Sequence, residues 1–222
     1  MTQVNMKTTI NSLLVYLCIS LSPMTYAASS DSDLIQSTKD KDAEAVSKHL
    51  NEGESTANKE AALLLATMLG FDTGVALLLE FGTDENIIDK EGNTLLAVAS
   101  FYNHAGIAKM LINKGADINA KPFEGISPLM LASSKNNIEV IKVLVDKGVN
   151  INFNSNSDKA TALMVAAQNG HFETVKFLVE SGAKTEMKDS KGSTALDFAL
   201  WQDHLEIATY LDEIRRKLKN KK

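Results

Sequence analysis

Gly125-Ile126-Ser127-Pro128-Leu129-Met130-Leu131-Ala132 occurs in four versions along this chain. The others are Gly92-Asn93-Thr94-Leu95-Leu96-Ala97-Val98-Ala99, Lys159-Ala160-Thr161-Ala162-Leu163-Met164-Val165-Ala166 and Gly192-Ser193-Thr194-Ala195-Leu196-Asp197-Phe198-Ala199. A second phrase keeps step with the first: Lys114-Gly115-Ala116-Asp117-Ile118-Asn119, Lys147-Gly148-Val149-Asn150-Ile151-Asn152 and Ser181-Gly182-Ala183-Lys184. Self-similarity at a period of about 33 residues means stacked units, each unable to bury its apolar face alone. It points to an extended binding surface and away from a catalytic pocket.

One period reads as two short helices and a loop. The turn Asp89-Lys90-Glu91-Gly92 leads to Thr94, whose hydroxyl can start a helix by accepting a backbone N–H bond. Leu96 and Ala99 then share a face, with Val98 beside them. Asn103 tolerates the left-handed conformation that ends this helix. Ile107, Met110 and Leu111 have the spacing of a second helix. Lys114 suits the negative end of its dipole, and Gly115 stops it.

The pattern resembles the ankyrin repeat. That family's Thr-Pro-Leu portion is matched by Thr94-Leu95-Leu96, Ser127-Pro128-Leu129, Thr161-Ala162-Leu163 and Thr194-Ala195-Leu196. Its Gly-His is matched in full by Gly170-His171 and in part by Asn103-His104 and Asp203-His204. The family's histidine at the start of the first helix is replaced by Ala97, Met130, Met164 and Asp197. Apolar packing by Met130 and Met164 is expected to stand in for its bonding.

The resemblance implies an all-α solenoid of about six helix-turn-helix units joined by loop or β-hairpin fingers. The units fall at about 31–55, 56–88, 89–121, 122–154, 155–188 and 189–214, within a domain spanning 28–217. The fifth has one extra residue in its leading loop, around Asn154-Ser155-Asn156-Ser157. The first is polar at Lys39-Asp40-Lys41-Asp42, as a terminal cap should be. Arg215-Arg216-Lys217 ends the last unit, and 218–222 form a basic tail. Those positive charges suit a solvated cap; contact with an acidic partner or membrane headgroups is the rival reading.

The N-terminus is a separate object. Lys7, the apolar run Leu13 to Leu21, and Thr25-Tyr26-Ala27 form a secretory signal peptide, 1–27, with the cut after Ala27. An uncleaved anchor is the alternative, although the run falls short of the roughly 20 residues of a spanning helix. The single cysteine, Cys18, lies inside this run, so the mature chain would form no disulfide and offer no thiol nucleophile. The 222-residue chain has a net charge of −5, against the basic balance usual in nucleic-acid binders. Cleavage would remove one positive charge, Lys7, and no acid.

No nucleophile elbow, phosphate loop or metal motif is present in the sequence, so no enzyme, cofactor or metal is expected. His104, His171 and His204 recur at one position of the repeat. Helices stacked about 8–10 Å apart cannot bring successive imidazoles within the ~2 Å of one ion, so these order loops. Asp89, Asp117 and Asp189 are expected to bond local backbone in turns.

In ankyrin proteins, partner contacts come from the loop tips and first-helix ends on the concave side. Carried onto this chain, those positions include Leu69, Phe101, Tyr102, Phe123, Ile126, Lys135, Gln168 and Trp201. Leu69, Phe101, Tyr102, Phe123 and Trp201 are apolar or aromatic where solvent favours polar residues, and Trp and Tyr are common binding anchors. Their bland reading is gap-filling between units. The expected function is non-catalytic protein binding by a chain that is monomeric when free, exported to the periplasm and without a stable membrane span. Likeness to exported bacterial ankyrin proteins suggests an immunity protein against a secreted toxin. The alternatives are an accessory to a periplasmic enzyme, such as an oxidative-stress defence enzyme, and an anchored envelope protein.

Overall fold

The computed structural model describes residues 32–89, 92–120 and 125–220. The signal-peptide and anchor readings, both on 1–27, fall outside them. Within the described residues the chain forms twelve helices in six consecutive pairs. They are α1 (Asp33–Lys39) and α2 (Ala43–Glu52), α3 (Thr56–Leu69) and α4 (Asp72–Glu80), and α5 (Leu95–Phe101) and α6 (Ala105–Lys114). Then come α7 (Pro128–Ser134) and α8 (Ile138–Asp146), α9 (Ala162–Gln168) and α10 (Phe172–Glu180), and α11 (Ala195–Trp201) and α12 (Leu205–Lys219). The all-α solenoid is the observed architecture. The fingers form only two isolated antiparallel bridges, Ile88 to Thr94 and Asn154 to Thr161.

The repeated phrases act through caps and turns. Thr94, Ser127, Thr161 and Thr194 each accept the N–H three residues on, opening α5, α7, α9 and α11. Where the family's histidine is missing, two different devices appear. Asp197 Oδ2 accepts both the N–H and the hydroxyl of Thr194. Met130 buries its side chain and accepts the N–H of Ser127 at its sulfur. Met164 is likewise buried, 1% exposed.

Between the helices of a pair, Lys41, Gly70, Asn103, Asn136, Gly170 and Asp203 all take positive φ, from 55° to 76°. Six residues in one register adopt the left-handed conformation, which Gly takes freely and Asn and Asp tolerate better than other side chains. Each turn reverses the chain so that the second helix packs back against the first.

The stack is held by apolar contact and by bonds between units. Leu96, Leu129 and Leu163 occupy equivalent places and are nearly inaccessible, as are Leu111, Leu144, Leu178 and Leu211. Small residues line the first helices, among them Ala97, Ala99, Ala132, Ser133, Ala166 and Ala167. First helices therefore pack closer to one another than second helices do. Unequal spacing curves the stack, with the first helices on the inner, concave side.

The three recurring histidines turn out to be joints between units. Their Nε2 atoms bond the Met68, Ser134 and Gln168 carbonyls of the preceding unit, at 3.1, 3.0 and 3.1 Å. Asn137 fills the same place in the fourth unit, its amide donating to the carbonyls of Ser100 and Phe101. A second ladder runs along the loops. Asn86, Asn119 and Asn152 accept the N–H groups of Asp117, Asn150 and Lys184 in the following unit. The turn aspartates act locally: Asp89 holds Asn93, Asp117 holds Asn119, and Asp189 holds Lys191 and Ser193.

Two details differ from expectation. The last helix runs past 217, where the domain was expected to end. α12 continues to Lys219, with Asp212 pairing to Arg215 and Arg216 one turn on. Matching charges at helical spacing extend the helix into the basic segment. The second unit, 56–88, has a first helix of 14 residues where later first helices have 7. Only Glu54 separates Gly53 from its cap Ser55, so the helix starts in the space that fingers occupy elsewhere. The extra residue of the fifth unit is absorbed by a knot in which Ser155 bonds Asp158 and accepts the N–H of Ala160.

Candidate protein-binding surface

The first-helix ends form a row along the concave side, one per unit. Tyr102 and Lys135 cap α5 and α7 just beyond their last residues, while Leu69, Phe101, Gln168 and Trp201 are the last residues of α3, α5, α9 and α11. The closely packed first helices place successive ends beside one another. Such a row offers contact area without requiring the chain to rearrange.

The row is uneven in what it exposes. Phe101 and Tyr102 are half-buried against the core and meet edge-to-face at 5.2 Å. Lys135 reaches back from the next unit and sets its ammonium 4.7 Å from the centre of the Phe101 ring. Tyr102 also stacks on His104, centroids 6.2 Å apart. These side chains thus brace two units and remain partly exposed. Leu69 is half-buried, and its carbonyl accepts a bond from the Lys41 ammonium.

Two of the sequence-derived candidates are withdrawn from the surface. Ile126 is 8% exposed and Gln168 is 6% exposed. Ile126 directly precedes the Ser127 cap and is drawn into the inter-unit seam. Gln168 lies under the sixth unit, its carbonyl taken by His204. Phe123 lies outside the described residues.

At the far end the picture reverses. Trp201 is 50% exposed, resting edge-to-face on Phe198 at 5.4 Å. Beside it in sequence stand Leu200 and Leu205, 50% and 68% exposed, which the sequence reading passed over. A signal was available. Leu200 occupies the register of Thr67, Ser100, Ser133 and Ala167, all small and fully buried. Ile88, 64% exposed beside the finger of the third unit, was also missed.

Titratable groups add little chemistry. Among the described residues Tyr210 has a clear shift, its phenol raised by burial and, second, by the nearby charge of Glu180. No cluster of three or more His, Cys, Asp or Glu suited to a metal ion occurs among the described residues. No helix among them is long and apolar enough to cross a membrane.

Comparison with known families agrees with this architecture. A family model described as ankyrin repeats (3 copies) matches residues 21–122 and 129–220. A search of curated proteins returned no match. Ankyrin repeats are protein-interaction modules and are generally non-catalytic. With matches covering most of its length and the repeat geometry in place, this chain belongs to the ankyrin repeat family.

Proposed function

We propose that the mature chain is a non-catalytic module of the periplasm that binds one protein partner along its concave side. The observation that supports this most is the row Leu69, Phe101–Tyr102, Lys135 and Trp201 on the first-helix ends of the second, third, fourth and sixth units. A surface ordered by stacked units loses little conformational entropy on docking. The acidic balance of the chain favours a basic partner. Export, an acidic surface and a ready-made aromatic row together suit an immunity protein that blocks a secreted toxin.

The test has two arms. Mass measurement on the protein recovered from periplasm should give an N-terminus at Ala28. Immobilised mature chain should then retain a specific protein from periplasmic extract, and Tyr102→Ala should lose it with an unchanged far-ultraviolet spectrum. Retention by Tyr102→Ala at the wild-type level would remove the concave row from the reading. A retained protein that is an enzyme native to the same cell, whose activity rises on binding, would replace immunity with the accessory role.

A further inference from the structure

The last unit has the repeat's architecture without its closure. Leu196 is half-buried, while its counterparts Leu96, Leu129 and Leu163 are at most 2% exposed. Leu200 follows four fully buried small residues. Trp201 replaces Gln168, which lies under the following unit. Leu205 replaces Phe172, whose ring meets Tyr210 of the following unit at 5.7 Å. At each of these positions, an earlier unit is covered by the one after it. No described element follows α12 to cover them here. A terminal cap normally turns polar on such a face. This one becomes larger and more apolar.

Charge distinguishes the same unit. No Lys or Arg occurs between Lys191 and Arg215, while Asp197, Asp203, Glu206, Asp212 and Glu213 all fall in that stretch. Asp197 is spent on the cap of α11, and Asp212 on Arg215 and Arg216. Asp203 and Glu206 are exposed and make no ion pair among the described residues. They sit in sequence between Trp201 and Leu205 and directly after Leu205. His104, His171 and His204 bond first-helix-end carbonyls of the preceding units, and Trp201 holds the same place in the sixth.

We infer that this end face, Leu200, Trp201 and Leu205 with Asp203 and Glu206, docks a cationic amphipathic segment of a protein. Resting on the protein-binding reading above, it extends the row beyond Trp201 onto the end face and adds the chemistry of what fills it. The partner's apolar residues cover the two leucines, as the sixth unit covers Ala167 and Phe172 of the fifth. Its Lys or Arg side chains pair with Asp203 and Glu206, and one can lie over the indole face. An apolar patch rimmed by uncompensated acid selects against acidic segments and against anionic lipid surfaces.

Trp201 is the only tryptophan in the chain, so its fluorescence reports on this face directly. The probe is a short leucine–lysine amphipathic helical peptide; its control has glutamate in place of lysine on the same apolar pattern. The lysine peptide should blue-shift Trp201 emission saturably, and the glutamate peptide should not. Leu205→Ser should weaken binding by about tenfold or more, as expected for loss of one buried leucine. Asp203→Asn with Glu206→Gln should weaken it and flatten its salt dependence. Leu205 is mostly exposed, so this variant tests docking without challenging the core, and its melting curve should overlay the wild type.

Equal binding of both peptides, no shift with either, or wild-type affinity in Leu205→Ser would each overturn the inference. So would a blue shift that grows with protein concentration alone, accompanied by dimer in sedimentation, since a second copy would then be the occupant. The two readings separate cleanly. If Tyr102→Ala loses the periplasmic partner while Leu205→Ser changes nothing, the concave-row function stands and the end-face inference falls. If the lysine peptide behaves as expected but no periplasmic protein is retained, the reverse holds.

Discussion

In the fifth unit, Leu163, Ala167 and Gln168 lie beneath the helix that follows, each at most 6% exposed. In the sixth, Leu196, Leu200 and Trp201 occupy the same three places and reach solvent. The local phrase is the same in both: a Thr cap, a seven-residue helix, a left-handed turn and a second helix. Local sequence therefore builds the unit, and burial depends on whether a neighbour arrives. Chemistry has moved opposite to exposure. Where the face is covered, the chain uses Ala and Gln; where it is open, it uses Leu and Trp. A solvated end would show the reverse, which is why the difference is read as a surface built for an occupant.

Identical truncations in the two units give the largest expected contrast. Leu163→Ala should destabilise by about 3 kcal/mol, as for a buried leucine whose cavity cannot collapse. Leu196→Ala should cost about 1 kcal/mol, because part of that side chain is already in water. Urea unfolding of the two variants measures both. Equal losses would mean that the sixth unit is covered in solution, which the open-face reading forbids.

The joints between units rank next. His171→Ala leaves the Ser134 carbonyl without its donor and should cost about 1 to 2 kcal/mol. His204→Ala removes the corresponding bond to Gln168, but the loss falls on a terminal unit. Hydrogen exchange should show faster opening confined to α11 and α12, with α7 and α9 protected as before. If opening spreads through the stack, the end unit is more strongly coupled than its contacts imply. A smaller effect attends the surface itself. Leu205→Ser should leave global stability within about 0.5 kcal/mol of wild type.

This contrast also explains what could be read from sequence. The period, the Ser and Thr caps and the Gly or Asn turns are local devices, so the six helix pairs were legible from the phrases alone. Asn137 shows how far that legibility reaches. It stands where three other units have histidine, and the register identifies the position but not that an amide can make the same inter-unit bond. The candidate surface was less legible. Phe101 and Lys135 were picked for their position at helix ends, yet their cation–aromatic contact depends on side chains from two units meeting. Ile126 and Gln168 were picked by the same rule and are buried, because the seam between units is a long-range feature. Leu200 was readable in principle, as a leucine in a column of small residues. What that substitution meant required knowing that nothing described stacks on it.

The finest test of the comparison uses the Tyr210 phenol. Tyr210 in α12 stands in the register of Phe177 in α10, so only the sixth unit has an ionisable ring there. Burial and then Glu180 raise the Tyr210 phenol above its ordinary value of 10.0, so the folded state holds this proton more tightly than the unfolded state does. The stability this contributes is complete below the unfolded value. It is lost as pH rises through the raised folded value, when phenolate must form beside Phe172 and Glu180. Alkaline solution should therefore loosen α12 before α10, visible as earlier loss of the Tyr210 ring signal in NMR. Glu180→Gln should lower the Tyr210 midpoint while leaving it raised, since burial is the larger cause and remains. A midpoint that does not move would mean that water screens Glu180 from the ring. It would also mean that the seam between the fifth and sixth units is wetter than the packing of Phe172 on Tyr210 indicates.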